Sequence, residues 1–205
     1  DSGDGWASIF EQFAEALPEP LQGRTRWIFP HAPRQPVSLN NGFEMPSWFD
    51  IMGLDAQAEE DTEGMAATAA MVERLVEDEV AAGVSPKHIF VGGFSQGGAV
   101  ALQVALRSPR PLAGCIALST WVHSAKDYPD KLGPYAKTIP FLQAHGDADM
   151  VVAPHWGHSS NELLSDMGIQ SKFYVAPGVG HGADPGVMRE VISFMREALL
   201  DSGLE

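Results

Sequence analysis

The segment Gly92-Gly93-Phe94-Ser95-Gln96-Gly97-Gly98 carries the clearest chemical signal in this chain. Ser95 sits in a G-x-S-x-G pattern, entered from the apolar run HIFVGGF and left through GGAVALQVALR. The pattern alone recurs by chance, and an incidental serine in a Gly-rich turn is the competing reading. A strand that turns sharply into a helix is the setting a nucleophile elbow requires. There the serine backbone is strained. Side chains two residues before and after it are expected to collide, so Gly93 and Gly97 have none. Gly98 and Ala99 let the helix approach its neighbouring strands. The helix start directs free N–H groups and the positive end of the dipole at the site. The Gln96 N–H can therefore donate to a developing oxyanion.

A serine hydroxyl is a poor nucleophile until a base takes its proton. The base is expected to be a histidine oriented by a carboxylate, in the chain order Ser, Asp or Glu, His. The run PFLQAHG leads into DADMVV, which offers Asp147 and Asp149. Spacing from Gly146 selects Asp149 as the acid and leaves Asp147 as a turn former. Of seven histidines, His31 and His88 precede the serine, and His123 precedes the acid. His145 ends a strand and is expected to pack or hydrogen-bond there. His155 and His158 fall on a solvated helix face, and their i,i+3 spacing lacks a third metal ligand. His181 lies in APGVGHGADP, where Gly178, Gly180 and Gly182 let the loop bend toward Ser95. His181 is the expected base, and no metal site is expected.

Five near-continuous apolar runs read as buried strands: 25–30, 88–94, 114–120, 140–146 and 172–177. Helical patterns cover a stretch from Trp6 to Leu17, closed by Pro18, then 59–82, 97–107, 154–167 and about 185–200. Gly83 follows the second as its C′ residue, and Asp184 with Pro185 opens the last. This alternation predicts a mostly parallel sheet with helices on both faces, in one domain spanning 1–205. Ligands bind such sheets at the carboxyl ends of the strands. Residues 30–58 are Pro/Gly/Asn-rich yet contain Met45, Trp48, Phe49 and Ile51, which predicts an ordered loop over the sheet end. Met45, Trp48 and, beyond this loop, Trp121 are candidate walls of an acyl pocket, against a reading as ordinary core.

Composition excludes some partners. Lys and Arg number 13 against 27 Asp and Glu, a net charge of −14 with no basic cluster, so nucleic acid and anionic membrane surfaces are disfavoured. No apolar stretch is long enough for a membrane span. Phosphate-binding Gly loops with Lys are absent, which argues against a nucleotide. The single cysteine, Cys115, lies in an apolar run, reads as a small core residue and suits a reducing, cytoplasmic setting.

In order along the chain, PHAPRQPVSLNNGFEMPSWFDI, GGFSQGGAV, LAGCIALSTW, HGDADMVV and the GHG around His181 resemble the acyl-protein thioesterase / phospholipase–carboxylesterase family of α/β-hydrolases. The resemblance covers almost the whole chain. It implies Ser95 as nucleophile, Asp149 as acid, His181 as base and Gln96 N–H as one oxyanion donor, with no cofactor. It implies hydrolysis of carboxylic esters and acyl thioesters, including S-acylated proteins or lysophospholipids in some members. The family also has a central strand and an HGxGD-like turn just ahead of the region matching DSGDGW. The second oxyanion donor is therefore expected upstream of Asp1. The missing strand belongs between 25–30 and 88–94, and its absence would leave unpaired backbone groups. A non-catalytic homologue binding acyl chains or a protein is the alternative function. A homodimer through the apolar loop region is compatible with the sequence.

Overall fold

A computed structural model of the chain describes residues 5–8, 10, 17, 22–53 and 58–201. In chain order its elements are β1 (Arg34–Val37), β2 (Phe43–Pro46), α1 (Thr62–Ala81), β3 (Phe90–Phe94), α2 (Gln96–Arg107), β4 (Gly114–Leu118), β5 (Phe141–Gly146), α3 (Pro154–Asp166), β6 (Ser171–Ala176) and α4 (Pro185–Asp201). β3 to β6 form a parallel sheet in the order β3-β4-β5-β6, and β1 and β2 form a separate antiparallel hairpin. Every residue of β4 and β5 is buried. A strand covered on both faces needs apolar residues at successive positions, hence the near-continuous runs.

The strand period of two divides the core. Cys115 and Ala117 of β4 join Leu102 and Leu106 of α2, Met65 and Val76 of α1 and Leu164 of α3 on one face. Ile116 and Leu118 join Leu142 and Ala144 of β5 and Val187, Val191 and Phe194 of α4 on the other. Complete burial of a side chain such as Leu102, at 0 % exposure, contributes about 1.5–3 kcal/mol.

Helix ends follow their sequence signals. Asp61 caps α1 by accepting from Gly64 N–H at 2.8 Å, and its other oxygen accepts from Asp50 N–H at 2.8 Å. Gly83, at φ 100°, closes α1 with its N–H on the Val80 carbonyl. Asp184 accepts from Val187 N–H at 2.8 Å and starts α4.

Two expectations need correction. Residues 25–30 belong to neither sheet. They are extended, with Trp27 and Phe29 half-buried and Arg26 and Ile28 exposed. Trp27 and Phe29 pack on Phe10, and Arg26 pairs with Glu79 of α1 at 2.9 Å. An apolar run specifies burial, whereas a strand also needs a ladder partner, and β3 is paired with β4 alone among the described residues. The 30–58 segment, in turn, contains the β1–β2 hairpin, with Gln35 opposite Met45. Its turn uses Asn41 at φ 55° and Gly42 at φ 74°, a left-handed pair that Asn-Gly adopts readily. The predicted helix from Trp6 to Leu17 lies largely outside the described residues.

Candidate active site

The elbow is built by α2 starting directly at the end of β3. Ser95 has φ 53° and ψ −120°, a conformation costly for a residue with a Cβ. Neighbouring elements hold it. Its N–H donates to Leu118 O of β4 at 2.8 Å, and its carbonyl accepts from Thr120 Oγ1 at 2.7 Å and Ala99 N–H at 3.1 Å. The glycines act differently from the sequence expectation. A Cβ on Gly93 would fall 2.2 Å from the Gly97 backbone, and one on Gly98 would fall 2.8 Å from Thr120. A Cβ on Gly97 would meet only Trp48 Nε1, at 3.7 Å. Steric need therefore rests on Gly93 and Gly98, because the Gly97 Cα–H bond points away from Gly93 toward the indole.

Asp149 follows β5 and is 3 % exposed. Its Oδ1 accepts from Val151 N–H at 2.8 Å and Val152 N–H at 2.9 Å. Its Oδ2 lies 2.8 Å from His181 Nδ1. A carboxylate only accepts, so Nδ1 carries the proton and Nε2 of a neutral His181 keeps its lone pair. The His181 ring packs on Phe94, the residue before Ser95, with centroids 4.6 Å apart. Asp147, the other acid of this loop, accepts from Gly178 N–H at 2.6 Å and pins the loop that carries His181.

His145 supports the pair from below. It is 2 % exposed, and its Nε2 donates to Val152 O at 2.9 Å while lying 3.4 Å from Asp149 Oδ2. Burial holds its pKa below the ordinary imidazole value. The Asp149 carboxylate is thus surrounded by two backbone N–H groups and two rings. His123 is equally buried, and its Nε2 has no hydrogen-bond partner among the described residues. Burial lowers its pKa as well, against the pull of Glu60. His155 and His158 are exposed on α3, the latter against Phe173.

The candidate pocket residues separate. Trp48 lies against the first turn of α2, with its N–H 3.3 Å from Gln96 Oε1. Trp121 sits edge-on to Phe49, centroids 6.3 Å apart. Met45 stays within the hairpin, its sulfur accepting from Asn40 Nδ2 at 2.9 Å. Sequence reasoning missed the Phe94 ring under His181, the Thr120 hydroxyl on the Ser95 carbonyl and the side-chain bonds of Gln96. Only the position of Thr120, just past a strand neighbouring the elbow strand, offered a signal.

Among the described residues, no helix is long and apolar enough to cross a membrane. Known proteins share both sequence and architecture with this chain. Acyl-protein thioesterase 1 of Gibberella zeae is 35% identical over 97% of this chain and 86% of its own length. The crystal structure of Zea mays acyl-protein thioesterase 2 superposes with a TM-score of 0.84 at 34% identity, covering 97% of this chain and 89% of that one. Arabidopsis thaliana SOBER1 gives 0.90 at 31% identity, covering 97% and 94%. The sequence model of one hydrolase family, phospholipase/carboxylesterase, matches residues 1–199, so this chain, with its serine elbow and paired imidazole and carboxylate, belongs to that family.

Proposed function

We propose that this protein is a serine hydrolase that cleaves carboxylic esters and acyl thioesters through Ser95, His181 and Asp149. The observation that carries the reading is the pairing of buried Asp149 with half-buried His181, 2.8 Å apart, with the imidazole packed on the residue that precedes the strained serine. His181 Nε2 takes the Ser95 proton as Oγ attacks the acyl carbon. The carbonyl oxygen gains the negative charge and is met by Gln96 N–H. Collapse expels the alcohol or thiol, which leaves with the proton from His181. Water then enters, gives a proton to His181 and attacks the acyl-enzyme. The acid departs as Ser95 regains its proton. Asp149 stays ionised and holds the imidazole.

A second oxyanion donor beside Gln96 N–H would supply about 2.7–4 kcal/mol of transition-state stabilisation. S-acylated proteins are the favoured substrates, by similarity to relatives named as acyl-protein thioesterases. Trp48, Trp121 and Met45 are assigned as walls for the acyl chain. The buried lone thiol of Cys115 is in keeping with a cytoplasmic protein.

Fluorophosphonate labelling of the full-length protein tests the chemistry: wild type labels and Ser95→Ala does not. Equal labelling of the two would refute the assignment. Turnover of esters and thioesters of graded acyl length then fixes the substrate class. Fatty-acid binding without turnover of any ester would instead identify a non-catalytic acyl-binding protein.

A further inference from the structure

Gln96 reaches away from the reaction with its side chain. The amide Nε2 donates to Phe49 O at 2.7 Å and Ser47 Oγ at 2.9 Å, and Oε1 accepts from Trp48 N–H at 3.3 Å. The Ser47 hydroxyl has one proton, which it gives to Phe49 O at 2.6 Å. Its 3.3 Å approach to Gln96 Oε1 is therefore not a further bond. One amide thus spends both donors and its acceptor on three consecutive residues.

Those residues are held from other sides too. Ser47 N–H donates to Pro33 O at 3.0 Å, Gln35 Nε2 donates to Ser47 O at 2.7 Å, and Thr68 of α1 donates to the Trp48 carbonyl. Ser47 and Phe49 are each 2 % exposed. The segment is a rigid bracket, and Gln96 fastens it to the first turn of α2. That turn carries the N–H assigned to the oxyanion, a group with no partner inside its own helix. Trp48 lies against the same turn, 3.7 Å from where a Gly97 Cβ would stand.

From this we infer that the Gln96 side chain is a positioning residue that fixes both its own backbone N–H and the Trp48 wall relative to Ser95. The inference rests on the serine-hydrolase reading. Glutamine suits the role because the bracket presents a donor and two acceptors within one amide's reach. Glu at this position offers no donor to Phe49 O, and Met matches the length with neither function.

The test measures kcat and KM with p-nitrophenyl acetate and octanoate for full-length wild type, Gln96→Met, Gln96→Glu and Gln35→Ala, with Tm for each. A loss of alignment near 1 Å costs about a hundredfold in rate. Both Gln96 variants are expected to lose kcat on both esters by about ten- to a hundredfold, and to favour acetate over octanoate more than wild type does. Gln35→Ala loosens the same bracket from β1 and is expected to keep kcat within about twofold, a change of under 0.5 kcal/mol. A folded Gln96→Met with kcat within that range overturns the inference. So does a Gln35→Ala loss equal to that of Gln96→Met, because general loosening would then suffice. If Gln96→Met does not fold, Gln96→Glu is judged by the same criterion. Failure of both to fold also overturns it, since the side chain would be a folding requirement. A wild type that neither labels with fluorophosphonate nor turns over either ester refutes the hydrolase reading instead.

Discussion

Replacing Gly157 of α3 by Ala probes how firmly His145 is packed beneath the acid. An ideal Cβ there would lie 2.4 Å from His145 Nδ1, 3.0 Å from Cγ and 3.3 Å from Cβ. Ordinary contact begins near 3.4 Å, so ring or helix must yield about 1 Å. The ring cannot swing into solvent, being buried and tied through Nε2 to Val152 O. Two effects compete. Alanine is favoured over glycine in a helix interior by about 0.8–1 kcal/mol. Overpacking a fixed core costs about 1–3 kcal/mol. Overpacking is expected to win, for a net destabilisation of about 0.5–2 kcal/mol, read as a lower urea midpoint at unchanged m. Activity is expected to fall too, because a displaced ring disturbs Asp149. The same substitution in a His145→Ala background removes the clash and is expected to be neutral or stabilising. Gly157→Ala as stable as wild type, or an equal loss in both backgrounds, would refute the packing described.

Two further outcomes follow from geometry and burial. Gly93→Ala places a methyl against backbone and is expected to cost more than about 4 kcal/mol, Gly98→Ala about 1–3 kcal/mol, and Gly97→Ala to stay within about 1 kcal/mol of wild type with labelling retained; urea unfolding and fluorophosphonate labelling check the order, which fails if Gly97→Ala is the most damaging. Stability is expected to be full above the ordinary imidazole value of 6.5 and to fall as pH drops below it. The unfolded chain then binds protons that His123 and His145 refuse while buried, at up to about 1.4 kcal/mol per pH unit for each. The groups facing them are Glu60, Asp61, Arg107 and Asp127 for His123, and Asp149, His158 and His181 for His145. A His123→Phe variant should show a shallower loss in urea midpoints between neutral and mildly acid pH, and an unchanged slope would exclude His123 as a contributor.

The sequence was most readable where burial alone decides structure. β4 and β5 are covered on both faces; β4 is apolar at successive positions, and in β5 the two polar side chains, Gln143 and His145, are buried with hydrogen-bond partners. The same rule misled at 25–30, where apolar side chains meet other rings and no ladder forms. β1 and β2 stayed hidden because Pro36 and Pro46 argue against strands, although Asn41-Gly42 offered the hairpin turn. At the site, the Asp149–His181 pairing was legible from chain order and loop position. Which glycine clears the elbow was not, since that depends on where each Cβ would point. Nor was the grip of Gln96, whose partners lie 47 to 49 residues away and bond mostly through main-chain groups that any sequence would carry.

The turn that carries Asp149 is held by main-chain donors at Val151 and Val152, while the side chains of Met150 and Val151 are 93% and 53% exposed. Chemistry and sequence are therefore decoupled at adjacent positions. Drift at 150 and 151 leaves the acid in place, because what fixes it is amide geometry common to nearly every residue; proline, which lacks the N–H, is excluded at 151 and 152. Side chains at 150 and 151 can therefore vary while Asp149 keeps its 2.8 Å contact with His181, so this short turn tolerates sequence change around an otherwise fixed pair.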